Sequence, residues 1–258
     1  MSNKLDSVLK RIGSRHLAKL WSFFRDSFDS DDSCFDFIYE ATQYEPILGD
    51  GIYRRVSDNS DQYVNAAGQV YHDSDFIPRR MLNAVERLVS AARDMDQIRH
   101  GKDVFKIVFI VTCVETLQTL SGSTDQKKKM LFSFFEDHTS AADKKYISEN
   151  FGHSGEDGIP KRTDCFKQFV GVINEYRNCA THEGEYWDFC FNNNYDNEPI
   201  FLVVKIDLDK YSTKNKKEHY FRTCISYKEF EAIFIRTCIS FIRDYVAKKQ
   251  EEKENADA

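Results

Sequence analysis

Proline and glycine are scarce, 4 and 11 in 258 residues, which argues against a loop-rich sandwich and against long disordered linkers. Cys-x-x-Cys pairs are missing. The seven cysteines (Cys34, Cys113, Cys165, Cys179, Cys190, Cys224 and Cys238) are scattered and odd in number, and no secretory signal pattern precedes them. They predict free thiols in a reducing cytoplasm rather than a disulfide framework or a zinc site. Long hydrophobic runs are absent too. The most apolar stretch, VFKIVFIVTCVETL from Val104, contains Lys106 and Glu115. It is too short to span a bilayer and reads as a helix buried on most sides, so no membrane partner is expected. With no His-x-x-x-His, no His-Glu-x-x-His and no glycine-rich phosphate loop, a metal site, ATP hydrolysis and a cofactor are all disfavoured. Positive charge is not in excess: the formal net charge is −6 and the pI about 5.7. That is not the footprint of a protein held on duplex nucleic acid by phosphate contacts. It leaves room for a small, locally positive cleft.

What is present is a large core. Hydrophobic residues make up 41% of the chain and aromatics 14%, with 21 phenylalanines. An amphipathic, basic helix is predicted over residues 4–28, docked on its own protein, with Leu5, Leu9, Ile12, Leu20, Trp21 and Phe24 as burial points. The acidic DSFDSDDSCFD follows, then a region over 36–78 without sustained period, where GIYRRV and GQVYHD are short extended candidates. Residues 1–78 are therefore read as an N-terminal extension. From Pro78 the period becomes helical, through PRRMLNAVERLVSAARDMDQIRH, the apolar helix 103–120 ended by SGSTD, and the aromatic MLFSFF helix. A short helix at 140–151 and the glycine-rich turn GHSGEDGIP lead to a helix from about Arg162 to His182. IFLVVKIDL and HYFRTCIS then predict a hairpin. The closing helix starts at Ser226, with Glu229 at capping-box spacing. The expected fold is mainly α: a helical domain over 79–250 with one small late β-hairpin, and a frayed tail at 251–258.

One stretch, EYRNCATHE from Glu175, raises a physical problem. On an ideal helix Phe166, Phe169, Val170, Ile173, Tyr176 and Ala180 form a single apolar stripe, and Arg177 falls near its middle. A guanidinium cannot shed its charge, so sealing it in a core is costly. Two solutions are open. In one, Arg177 pairs with Glu115 or Glu175, and His182 caps the helix C-terminus. In the other, the stripe emerges into a polar groove between two copies of the chain. Arg177 and His182 lie about 140° apart on an ideal helix, so two copies related by a two-fold axis would each supply an arginine and a histidine to a shared cleft.

Such a cleft suits metal-free RNA cleavage. The 2′-OH loses a proton as it attacks phosphorus, and the 5′-oxygen gains one as it leaves. A histidine with a pKa of about 6.5 serves as base or acid. The guanidinium holds the non-bridging oxygens, and Asn178 orients the phosphate or the imidazole. The neighbouring Glu183 either tunes the histidine or repels phosphate. Lys127–Lys129 reads as a solvated face, and the aromatic EYWDFCF from Glu185 as packing.

YRNCATH resembles the signature of the HEPN superfamily: an arginine and a polar residue, three further residues, then a histidine. The order of helices before it is similar as well. The resemblance covers roughly residues 80–250 and is closest in style to the Apea-like HEPN domains. It implies a homodimeric, metal-independent endoribonuclease of the kind found in antiviral defence or toxin–antitoxin systems. An antitoxin or defence-system protein is then an expected partner. By that resemblance Arg177 and His182 are the catalytic pair and Asn178 their polar support. The alternative within the same superfamily is a non-catalytic module for dimerisation or for binding a ligand or partner.

Overall fold

The computed structural model describes residues 15–42, 54–57, 60–64, 68, 70–98, 103–154, 160–161, 165–184, 189–192, 199–206 and 217–256. Eight α-helices and seven short strands make up the described residues, in the mainly α arrangement expected. The chain divides into two compact units, 1–86 with 241–258 and 87–240. The first unit therefore takes in residues from both sides of the second.

In the first unit, helix α1 (Arg15–Phe24) buries Leu17, Leu20, Trp21 and Phe24, and a 3₁₀ turn over Arg25–Ser27 follows. Leu5, Leu9 and Ile12, the earlier burial points expected of this helix, lie outside the described residues. Helix α2 (Asp31–Thr42) begins inside the acidic stretch. Asp31 and Asp32 sit in its first turn, where carboxylates favour the positive end of the helix dipole. Trp21 stacks on Phe35 at 5.5 Å, and the Arg243 guanidinium lies 5.4 Å from Phe28 and 5.5 Å from Phe37. Strands β1 (Arg54–Arg55), β2 (Gln62–Val64) and β3 (Val70–His72) form an antiparallel meander. Both extended candidates contribute to it, GIYRRV as β1 and GQVYHD as β3.

The second unit holds the helical core. Helix α3 (Ile77–Ile98) begins in the first unit and ends in the second. Helix α4 (Asp103–Leu120) matches the apolar run, and Gly122, with φ of 87°, turns the chain after it. Its Lys106 is only 1% exposed. That charge is answered by Asp96 at 2.7 Å and Asp103 at 2.8 Å, and it lies 4.3 Å from the Tyr227 ring centre. Helices α5 (Lys127–His138) and α6 (Ala141–Asn150) follow. Ser140 caps α6 by accepting from the Asp143 N–H at 3.0 Å. The Asp143 carboxylate also takes two N–H groups of Arg236.

Helix α7 (Cys165–Asn178) carries the start of the motif and packs against α4, α5 and α6. The expected apolar stripe is buried throughout, but so are Gln168, Gly171, Val172, Asn174 and Glu175. This helix is central rather than amphipathic, enclosed on nearly every side.

Strands β4 (Phe151–Ser154), β5 (Pro160–Lys161), β6 (Ile200–Ile206) and β7 (Lys217–Thr223) form an antiparallel sheet in the order β5-β4-β7-β6. The late hairpin is thus half of a four-stranded sheet, and part of the expected glycine-rich turn is its other half. Leu202, Val204 and Phe221 face the core, whereas the cross-strand pair Val203 and Tyr220 is exposed. Helix α8 (Tyr227–Ala256) starts with the expected capping box. The Ser226 N–H donates to Glu229 Oε2 at 2.8 Å, and the Glu229 N–H donates to Ser226 Oγ at 3.2 Å. Instead of fraying after residue 250, α8 stays helical through Ala256.

Candidate functional site

Arg177 ends a stretch of α-helix, and the next residues change geometry. Cys179–Glu183 form a single π turn, closed by the Gly184 N–H bonding to the Cys179 carbonyl. That wider ring adds one residue to the turn. The Thr181 hydroxyl donates to the Arg177 carbonyl at 2.8 Å, a side-chain bond that competes with the helical ladder and loosens it. Gly184 leaves the turn at φ 68°, which a residue without Cβ adopts freely. The 140° separation of Arg177 and His182 belongs to an ideal α-helix and does not hold here.

The charge problem is solved inside one chain. Arg177 is 8% exposed. Its Nη2 donates to Glu115 Oε1, and its Nη1 donates to Asn178 Oδ1 at 3.1 Å. The expected Glu115–Arg177 pair therefore forms, and the stripe that carries Arg177 is buried within the chain. The apolar stripe is covered by neighbouring helices, so the ion pair must balance the guanidinium within the monomer. Glu115 is itself shared, its Oε2 lying 3.1 Å from Lys127 Nζ. Two cations thus converge on one carboxylate, leaving the cluster with a formal excess of one positive charge.

One polar atom is left over. Arg177 Nε is buried and has no hydrogen-bond acceptor among the described residues. A buried N–H in that state costs about 1–3 kcal/mol. Five residues on, His182 is exposed. The side chain of Glu183 lies outside the described residues.

The structure therefore brings together Arg177, Asn178 and Glu115, with Lys127 beside them, and sets exposed His182 at the far end of the π turn. Lys127 was expected as part of a solvated run, with guiding RNA as the alternative. Its neighbour Lys129 fits that reading, paired with Asp125 at 2.8 Å on the surface. The signal for Lys127 was its place in the first turn after the loop that follows α4, a helix whose apolar run already held Glu115. Within EYWDFCF, Phe189 and Phe191 are buried, Phe189 at 4.8 Å from Tyr176 and Phe191 at 5.3 Å from Phe230, so both pack. Residues 185–188 lie outside the described residues. Among the described residues, no three His, Cys, Asp or Glu side chains cluster where they could hold a metal ion. No helix among them is long and apolar enough to cross a membrane.

Compared with known proteins, the chain matches no family model, no curated protein and no solved structure.

Proposed function

We propose that this protein is a metal-independent endoribonuclease that cleaves RNA by 2′-OH transphosphorylation. The observation that carries the reading is the cluster of Arg177 and Lys127 on Glu115, set one π turn from an exposed histidine. Glu115 fixes the guanidinium plane, and Lys127, open to solvent, supplies positive charge for an incoming phosphodiester. His182, open to solvent, moves the proton of the 2′-OH or of the leaving 5′-oxygen. Two copies of the chain form the working enzyme, their motif segments meeting in one cleft. Its setting is cytoplasmic, in a bacterial defence or toxin–antitoxin system with a protein partner that holds it in check.

A second reading, a non-catalytic module for dimerisation or ligand binding, is favoured by one specific observation. Both terminal nitrogens of Arg177 are already engaged, as they would be in a purely structural ion pair. One experiment separates the two. RNA is incubated with the protein in excess EDTA beside His182→Ala, a surface change that leaves folding untouched. The nuclease reading expects 2′,3′-cyclic phosphate ends, inert all-deoxy substrate, and a loss of about 10²–10⁴-fold in the variant. Cleavage that ignores His182, or a broad RNA panel left intact, transfers the site to the binding module.

A further inference from the structure

The sheet of the second unit carries a pair of histidines that neither the motif nor the proposed chemistry uses. His153 lies on β4 and His219 on β7. The register sets His153 opposite Phe221, two residues from His219, so the two side chains are diagonal neighbours on one face. That face is the one that buries Phe221. His153 Nε2 lies 3.0 Å from His219 Nδ1, with the rings 5.1 Å apart and tilted by 55°. The Phe221 ring meets His153 edge-on at 5.2 Å and walls off the inner side. Both histidines are half-buried.

We propose that His153 and His219 form a two-ligand site for a divalent transition-metal ion of the Ni²⁺ or Cu²⁺ type. Metal–imidazole bonds of about 2.0–2.1 Å to nitrogens 3.0 Å apart subtend about 94° at the ion. That is close to the right angle between neighbouring positions of a tetragonal site, the geometry these ions prefer. Tetrahedral Zn²⁺ needs the nitrogens to part to about 3.3 Å, so it fits less well. Each ring turns to the ion the nitrogen that now sits in the hydrogen bond. The proton held between them moves to the far nitrogen of its own ring, and water fills the remaining positions. The strand ladder holds both backbones in register, so little order is lost on binding. The ion clamps β4, which leads by way of β5 to motif helix α7, to β7, the strand that precedes α8.

This inference is independent of the ribonuclease reading. The test uses the full chain and the metal alone. Ni²⁺ titrated by calorimetry is expected to bind at one equivalent, and His153→Gln and His219→Gln are each expected to weaken it at least about tenfold, the low end of the cost of losing even a supporting group at a metal site. Binding that both variants retain, or no binding to the unaltered protein, overturns the site. Should a variant fail to fold, Cu²⁺ added to the unaltered chain gives a spectrum that counts the ligands directly. Electron paramagnetic resonance must show hyperfine coupling to two nitrogens, and a thiolate signature or a single nitrogen sinks the proposal.

Discussion

Replacing Glu115 by Ala leaves the Arg177 guanidinium where it is, 8% exposed, with its principal counter-charge gone. Removing one partner from a fully buried pair costs about 3–5 kcal/mol, because the remaining charge is left uncompensated. Two features of the structure pull the figure down. The Glu115 side chain is 20% exposed, so water screens part of the pair, and Asn178 still accepts one bond from the arginine. The expected loss is therefore at the lower limit, about 3 kcal/mol. In a domain of this size, that lowers Tm by about 6–12 °C. Urea unfolding followed by circular dichroism reads the same quantity. The decisive arm is the double variant Glu115→Ala/Arg177→Met, in which both charges are gone and an apolar chain fills the arginine's space. It is expected to recover most of the loss, giving a coupling of at least about 1 kcal/mol. A single-variant loss below about 1 kcal/mol, the range of a surface pair, or strictly additive effects would show that the guanidinium is wet and the enclosed ion pair does not exist.

Two further outcomes are expected of the first unit. Burial pushes the Cys34 thiol up to about 12, so at neutral pH it stays protonated and does not react with a maleimide until the unit unfolds. Mass mapping that finds Cys34 labelled as fast as half-buried Cys179 in the native protein rejects this packing. His16 is held below the usual histidine range by burial first and by the nearby Arg79 second. A lowered folded pKa means the unfolded chain takes up the proton more readily. The contribution is thus complete above the unfolded value of about 6.5 and is lost as pH falls through the folded one. His16→Gln is expected to flatten the acid side of the stability profile measured by thermal melts at pH 5–8, and an unchanged slope rejects the assignment.

The second unit was readable wherever its helices had a period of their own. Helices α3 to α6 run close to where their apolar spacing and loop residues placed them. Helix α2 escaped because its first turn, with Asp31 and Asp32, reads locally as an acidic loop. The same residues stabilise a helix start only once Cys34, Phe35, Phe37, Ile38 and Ala41 are given a core to enter. Strands β4 and β5 escaped for a different reason. The partner β7 of strand β4 is more than sixty residues downstream and β5 pairs only with β4, and a register such as His153 opposite Phe221 leaves no mark on the four residues of β4 themselves. At the site, charge accounting succeeded over long range. A carboxylate in an apolar helix and a guanidinium in an apolar stripe require each other, which joined Glu115 to Arg177 across 62 residues. The π turn was invisible, since an extra residue in one ring depends on the local contest between backbone and side-chain hydrogen bonds, and periodicity averages over that contest.

The division of the chain into 1–86 with 241–258 and a continuous 87–240 also fixes an order of events on the ribosome. The 154 residues from Arg87 to Ser240 separate the two parts of the first unit. At about 5–20 residues per second, that insertion takes about 8–30 s to synthesise. The second unit, with the motif in it, is complete in sequence before the last part of the first unit is translated. Phe28 and Phe37 meanwhile wait for the Arg243 guanidinium that lies against them. Through that interval the first part of the first unit stands without its last, whereas the segment that carries Arg177 and His182 is complete before residue 241 is added.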